Sequence, residues 1–291
     1  MKISGFTFIR NAIKNDYSIV EAITSILPIC DEFVVAVGQS EDHTLGLIQG
    51  IKSDKIRIIE TIWDDTKREG GHVFALETDK AYQAISPDTD WAFYIQGDEC
   101  VHEDDLNGIL EDLKEHQENP EVEGLLFKYR HFYGSFDYIA TSRKWYRKEI
   151  RLVRFNPLVH SYKDAQGFRK SGKKLKVKEI SAHIFHYGWV KPPTGLNQKV
   201  RNFTQFYHDD AWLAKNVPAD YEFDFGNAER LIRFTGTHPN VSLSRIKAQN
   251  WDFDFDPAVL RSKMSLRRKV LQKIADWTGW RIGEYKNYQR I

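Results

Sequence analysis

The sequence predicts an α/β fold, a mostly parallel sheet flanked by helices and followed by a helical C-terminal extension. Three observations predict it. The first hundred residues alternate short apolar runs with amphipathic stretches, the pattern of parallel strands joined by crossover helices. Polar residues gather just past the carboxyl ends of those apolar runs, where ligands bind on such sheets. From Gly195 onward the pattern turns helical.

Residues 3–8 read as the first strand. Asp16 is placed to cap a helix whose inner face is Tyr17, Val20, Ile23 and Leu27, and Pro28 stops it. Residues 33–37 form a buried strand, 42–51 a short helix, 56–61 a third strand, 71–85 a helix and 91–96 a fourth strand. Leu106, Ile109, Leu110 and Leu113 then mark a helix packed on the sheet and ending before Pro120. Strand-like runs follow at 124–129, 150–155 and 175–180. The boundary between the catalytic-type domain and the extension is expected near residue 190, giving segments 1–190 and 191–291.

Composition excludes several classes. The 291 residues carry 42 Lys or Arg against 41 Asp or Glu, a net charge of +1, which argues against a bulk electrostatic nucleic-acid binder. With 41% hydrophobic residues the chain has ample material for a core and is not a disordered sequence. Cys30 and Cys100 are too few for a disulfide framework or a four-thiolate zinc site and read as buried thiols in a reducing compartment. Residues 1–11 lack the apolar run of a signal peptide, and no stretch approaches the roughly 20 apolar residues of a membrane span. A cytoplasmic protein is expected. Residues 261–291 hold nine Lys or Arg against two acidic residues, so a chain near neutral overall divides into an acidic body and a basic end suited to a solvated face or an anionic membrane surface.

The strongest local signal is the run Trp91-Ala-Phe-Tyr-Ile-Gln-Gly-Asp-Glu-Cys100, an apolar strand that ends abruptly in polar residues. A carboxylate just past a parallel strand, beside a glycine that permits close approach, suits a hard divalent cation and its phosphate ligands. Asp98 is that carboxylate, although Asp98 and Glu99 also suit capping of the helix that follows. No Gly-X-Gly-X-X-Gly follows the first strand, and neither a phosphate-binding Gly-X-X-X-X-Gly-Lys-Ser/Thr nor a Gly-X-Ser-X-Gly elbow is present.

Taken in order, Phe8-Ile-Arg-Asn11, Glu32 through Thr44, residues 71–81 and Gln96-Gly-Asp-Glu99 resemble the nucleotide-sugar half of family 2 glycosyltransferases, whose GT-A fold is Rossmann-like. The likeness covers roughly the first 105 residues. It is nearest to bacterial enzymes that build lipopolysaccharide core and other surface glycans, whose fourth strand ends in Asp-X-Asp-Glu. Two positions depart from that pattern: Gln96 replaces its first Asp, and Gly38 stands where an acidic residue usually follows the second strand.

The resemblance implies a metal-assisted, inverting glycosyltransferase that moves a sugar from a nucleotide-diphosphate donor to a glycan or lipid-linked acceptor. Asp98 would hold Mg²⁺ or Mn²⁺, and His186, in His183-Ile-Phe-His-Tyr-Gly-Trp189, would assist it. Donor contacts are expected from Arg10, Asn11, Gly38, Asp64, Asp65, Gln96 and Gly97, and Asp164 is the candidate base for the acceptor hydroxyl, with Asp209 and Asp210 as alternatives. Arg151, Arg154 and Arg169 are candidates to grip an anion, and Tyr133, Trp145, Tyr187 and Trp189 to line the acceptor groove. The basic C-terminus would hold the enzyme at the inner membrane face. Two other classes stay open: a non-catalytic sugar-nucleotide or glycan-binding protein on the same scaffold, and a nucleotidyltransferase, which would want a basic Gly-rich loop that residues 7–14 do not supply.

Overall fold

In the computed structural model the described residues are 1–67, 69–217, 223, 225–253 and 264–291, without the side chains of residues 65, 69, 193, 226 and 227. Strands β1 (Ile3–Ile9), β2 (Glu32–Gly38), β3 (Ile56–Thr61) and β4 (Trp91–Tyr94) form a parallel half-sheet in the order β3-β2-β1-β4. Helices α1 (Ile19–Ile26), α2 (Thr44–Gln49) and α3 (His72–Gln83) connect them. The inner strands are apolar on both faces because helices cover both. On β2, Val35 and Val37 face a core with Ile19, Ile23 and Phe93, while Val34 and Ala36 face one with Phe6, Tyr82 and Tyr94.

After β5 (Glu99–Val101) and α4 (Leu106–His116), β6 (Gly124–Tyr133), β7 (Ser135–Ala140) and β8 (Lys148–Arg154) extend the sheet. β8 inserts antiparallel between β4 and β6, so the path runs β4-β8-β6-β7. A small antiparallel sheet of β9 (Val159–Tyr162), β10 (Gly167–Lys170) and β11 (Lys173–Lys174) stands apart from it. The long β12 (Lys176–Trp189) then pairs parallel with β6 and antiparallel with β5.

Helices α5 (Pro193–Thr204), α6 (Asp210–Asn216), α7 (Leu243–Lys247) and α8 (Leu266–Thr278) occupy the last hundred residues. Two strands from this segment rejoin the sheet: β13 (Leu231–Arg233) on β7, and β14 (Gln289–Arg290) on β12. Among the described residues no helix is long and apolar enough to cross a membrane.

The first helix differs from its expected start. Asp16 is not its cap: the residue has a left-handed φ of 49°, and its carboxylate pairs with Arg245 at 2.5 Å and Lys191 at 3.5 Å. Ser18 precedes the first helical residue instead, and the buried stripe is Ile19, Ala22, Ile23 and Ile26. The tight turn through residues 11–16 delays the helix; Tyr17, Val20 and Leu27 still pack, partly buried, against the same core as Ile23, and Tyr17 also lines the cavity.

Candidate active site

A cavity of about 1010 Å³ opens at the carboxyl ends of β1 and β4. Its floor is the Gln96-Gly97-Asp98 turn between β4 and β5, and this turn is held from beneath by Glu99. The Glu99 carboxylate is fully buried and accepts two hydrogen bonds from Arg151 at 2.8 Å, one from the Tyr129 hydroxyl at 2.7 Å and one from the Gln96 amide at 3.1 Å. Arg151 also donates to Gln96 Oε1 at 3.3 Å. A bidentate buried pair with every lone pair satisfied fixes the turn rigidly, and removing either partner would strand the other charge.

Asp98 sits above this anchor with its side chain 15% exposed. Lys199 of α5 donates to its Oδ2 at 3.1 Å and to the Gly188 carbonyl at 2.7 Å, and His186 Nε2 stands 3.7 Å from the same oxygen. Burial alone would push this carboxyl up, but the Lys199 ammonium on its Oδ2 holds it well below the usual carboxylate range. Gly188 makes the convergence possible: a Cβ there would meet Asp98 Oδ2 at 2.5 Å, His186 Nε2 at 2.7 Å and Lys199 Nζ at 2.9 Å.

The hydrogen-bond network assigns the tautomer of His186. His131 Nε2 lies 2.7 Å from the Tyr146 carbonyl, which can only accept, so that nitrogen carries a proton. Burial, followed by the neighbouring imidazole, holds the pKa of His131 far below its ordinary value, so the ring is neutral and its Nδ1 is an acceptor. His186 Nδ1 lies 3.1 Å away and must donate to it. His186, also lowered by burial, is then left with a bare lone pair on Nε2, facing the Asp98 carboxylate. Asp98 and His186 are two candidate ligands for a divalent cation, with the Lys199 ammonium already on the same carboxylate oxygen; among the described residues no group of three or more His, Cys, Asp or Glu that could hold a metal ion comes together.

Asp164 lies on another wall of the same cavity, in the β9–β10 turn, between two residues of positive φ, Lys163 and Ala165. The Tyr207 hydroxyl donates to its Oδ2 at 2.8 Å, which orients the carboxylate. Arg10 and Asn11 line the cavity too; the Arg10 guanidinium lies 5.3 Å over the Trp63 ring, and the Asn11 side-chain oxygen accepts from the Glu41 amide at 2.7 Å. Gln96, Gly97, Tyr133, Trp145, Arg151 and Trp189 complete the predicted residues that line it.

Others stand elsewhere. Gly38 does not line the cavity, because the Trp63 indole fills the space beside it and a Cβ there would overlap that ring. The Asp64 carboxylate is exposed and accepts from the Thr66 amide at 3.0 Å and hydroxyl at 2.5 Å. The side chain of Asp65 lies outside the described residues. His183, three residues from His186, does not line the cavity and makes no metal pair with it. Arg154 stacks on Trp91 and binds carbonyls at the end of α4, and Arg169 holds the carbonyl of Asn287. Asp209 caps α6, and Tyr187 packs in a separate apolar cluster. Both cysteines are buried, and burial pushes the Cys30 thiol up to about 12.

Lys199, His131 and the Glu99–Arg151 pairing were not singled out by sequence reasoning. Lys199 lies 101 residues from Asp98, and its helix carries no motif. His131 is one histidine inside a strand. The run Gln96-Gly-Asp-Glu99 does contain the signal for Glu99, since a buried acid after a strand demands a cation.

No family model matches the chain, and no curated protein matches it by sequence. Among solved structures it is similar to TarS of S. aureus, with a TM-score of 0.41 and 15% identity over 79% of this chain and 42% of that one. The chain thus spans less than half the length of that protein. A 1–349 form of TarS in complex with UDP gives a TM-score of 0.40 at 14% identity, covering 76% of this chain and 70% of that one. Glucosyl-3-phosphoglycerate synthase from Mycobacterium tuberculosis, in complex with Mn²⁺, UDP-glucose and phosphoglyceric acid, gives 0.31 at 18% identity over 44% of each chain. By its own sheet order, with β3-β2-β1-β4 parallel, β8 antiparallel beside it and the cavity at the carboxyl ends, the chain has an α/β fold of the GT-A type.

Proposed function

We propose that the protein is a glycosyltransferase that moves a sugar from a nucleotide-diphosphate donor to a hydroxyl of a glycan or lipid-linked acceptor, with inversion at the anomeric carbon. One observation carries the reading. A single large cavity at the strand ends brings the Asp98–His186–Lys199 cluster and the Asp164 carboxylate onto its walls. An acid-base group and a cation site around one solvent-accessible space are what glycosyl transfer requires.

Asp98 and His186 would hold a divalent cation, which supplies positive charge to the departing diphosphate when bound. Lys199 would add its ammonium to the same leaving group. Arg10 and Trp63 would pack the nucleoside at the end of β1. Asp164 takes the proton of the acceptor hydroxyl as its oxygen attacks the anomeric carbon; the glycosidic bond forms as the bond to the diphosphate oxygen breaks. Tyr207 keeps Asp164 oriented through its hydrogen bond to Oδ2. The aromatic wall of Tyr133, Trp145 and Trp189 would seat the acceptor sugar.

A second reading, a non-catalytic sugar-nucleotide binder, is favoured by the ammonium of Lys199 that already neutralises Asp98. Nucleotide release from a panel of nucleotide sugars, with and without Mn²⁺, separates the two. Transfer predicts metal-dependent release that falls by about 10²–10⁴-fold in Asp164→Asn with unchanged thermal stability. Binding without release from any donor would favour the binder.

A further inference from the structure

Helix α8 leaves a second apolar stripe in water, on the side away from the body. At 100° per residue, Leu266, Val270, Lys273 and Trp277 share an arc of about 60°, and this arc faces water: Leu266 is 80% exposed, Val270 53% and Trp277 90%. Trp280, just past the Gly279 cap, is 64% exposed. The opposite face meets the body through buried Gln272 and Ala275 and half-buried Leu271 and Ile274, and ion pairs flank it. There Arg268 pairs with Glu229 at 2.5 Å, Asp276 pairs with Arg230 at 2.6 Å, and buried Gln272 donates to Asp276 at 3.0 Å.

The apolar arc is flanked by cations. Arg267, Lys269 and Lys273 are exposed, and no carboxylate among the described residues pairs with them. Asp276, the only acid of the helix, is already held by Arg230. A second copy docked through this face would set these cations against one another with no anion to separate them. Leucine, valine and two tryptophans ringed by unpaired cations instead match the interface of an anionic lipid bilayer, where indoles settle at headgroup depth and cations meet phosphates.

We propose that the outer face of α8, with Trp280, is a docking surface for an anionic membrane. The surface is tied to the cavity. Arg281 donates to the carbonyls of Trp145 at 2.6 Å and Thr141 at 3.1 Å, and Arg147 donates to the Gly279 carbonyl at 2.9 Å. The same 141–147 segment contributes Lys144, Trp145 and Tyr146 to the cavity wall. Given the glycosyltransferase reading, a lipid-anchored acceptor would reach the cavity along this segment; the docking surface itself does not depend on that reading.

The test is co-sedimentation of the full chain with phosphatidylcholine vesicles, alone or containing 30 mol% (about one lipid in three) phosphatidylglycerol. The protein binds the anionic vesicles, and Leu266→Glu or Trp277→Glu weakens binding by about tenfold or more while the thermal midpoint and nucleotide-sugar turnover stay unchanged. Lys269→Gln and Lys273→Gln each weaken binding to anionic vesicles by about fivefold. Failure of the wild-type protein to bind anionic vesicles, or equal binding by Leu266→Glu, overturns the proposal. So does a solution dimer that Leu266→Glu converts to monomer, since that assigns the face to a second copy.

Discussion

Replacing Glu149 with glutamine should remove one proton's worth of pH dependence from the stability of this fold. Glu149 lies on β8, is 4% exposed, and its Oε2 has no hydrogen-bond partner among the described residues. Burial raises its pKa from 4.5 to about 8; Arg151 opposes that shift and Glu99 reinforces it. Asn287, inserted from the C-terminal tail against Gly167, is its polar neighbour. Because the folded pKa lies above the unfolded one, the native state keeps a proton that the unfolded chain has lost. Stability is greatest below pH 4.5 and declines as pH rises to about 8. One retained proton corresponds to a slope of about 1.4 kcal/mol per pH unit, and the whole window to roughly 4–5 kcal/mol as an upper bound. Urea unfolding of wild-type and Glu149→Gln proteins from pH 5 to pH 8.5 checks this, since every other titration cancels in the difference. The variant should be near wild type at pH 5 and about 3–4 kcal/mol more stable above pH 8. Parallel curves across that range would refute a buried neutral acid at this position.

Three further substitutions probe the site's support. Arg151→Met leaves Glu99 buried without its cation and should cost about 3–5 kcal/mol by urea denaturation, while adding Glu99→Met should restore much of the loss. Gly38→Ala forces Trp63 out of its seat and should cost about 1–3 kcal/mol with a changed near-ultraviolet tryptophan signal. Tyr207→Phe removes the hydrogen bond that orients Asp164, so kcat for sugar transfer should fall while KM for the nucleotide sugar holds; the reverse pattern would place Tyr207 in donor binding.

The parallel half of the sheet was readable because each strand is a short apolar run and each crossover a periodic stretch. The Asp98 turn was readable for the same reason: an apolar strand that stops at Gln-Gly-Asp-Glu announces a change of environment. The start of α1 was misplaced because Asp16 looks like a cap in one dimension, whereas its carboxylate serves Arg245, 229 residues away. The meaning of Gly38 was hidden likewise. As a departure from a family pattern it suggested a missing acid, but the structure shows that an indole needs the space. Lys199 and His131 reach the site through α5 and β6, whose register on the sheet no local pattern encodes. The C-terminal helix is amphipathic in sequence, but which face meets the body depends on distant partners: Glu229 and Arg230 hold Arg268 and Asp276 beside buried Gln272 and Ala275.

Titration calorimetry of nucleoside diphosphates into the wild-type protein and Asp98→Asn, with and without Mn²⁺, tests the central claim most directly. If Asp98 and His186 organise a donor site, one nucleoside diphosphate binds the wild type in a Mn²⁺-dependent manner. Asp98→Asn, which keeps the shape and removes the charge, then loses that dependence and at least about tenfold of the affinity. Equal binding by both proteins, or no binding of any nucleoside diphosphate to a folded wild type, would contradict it.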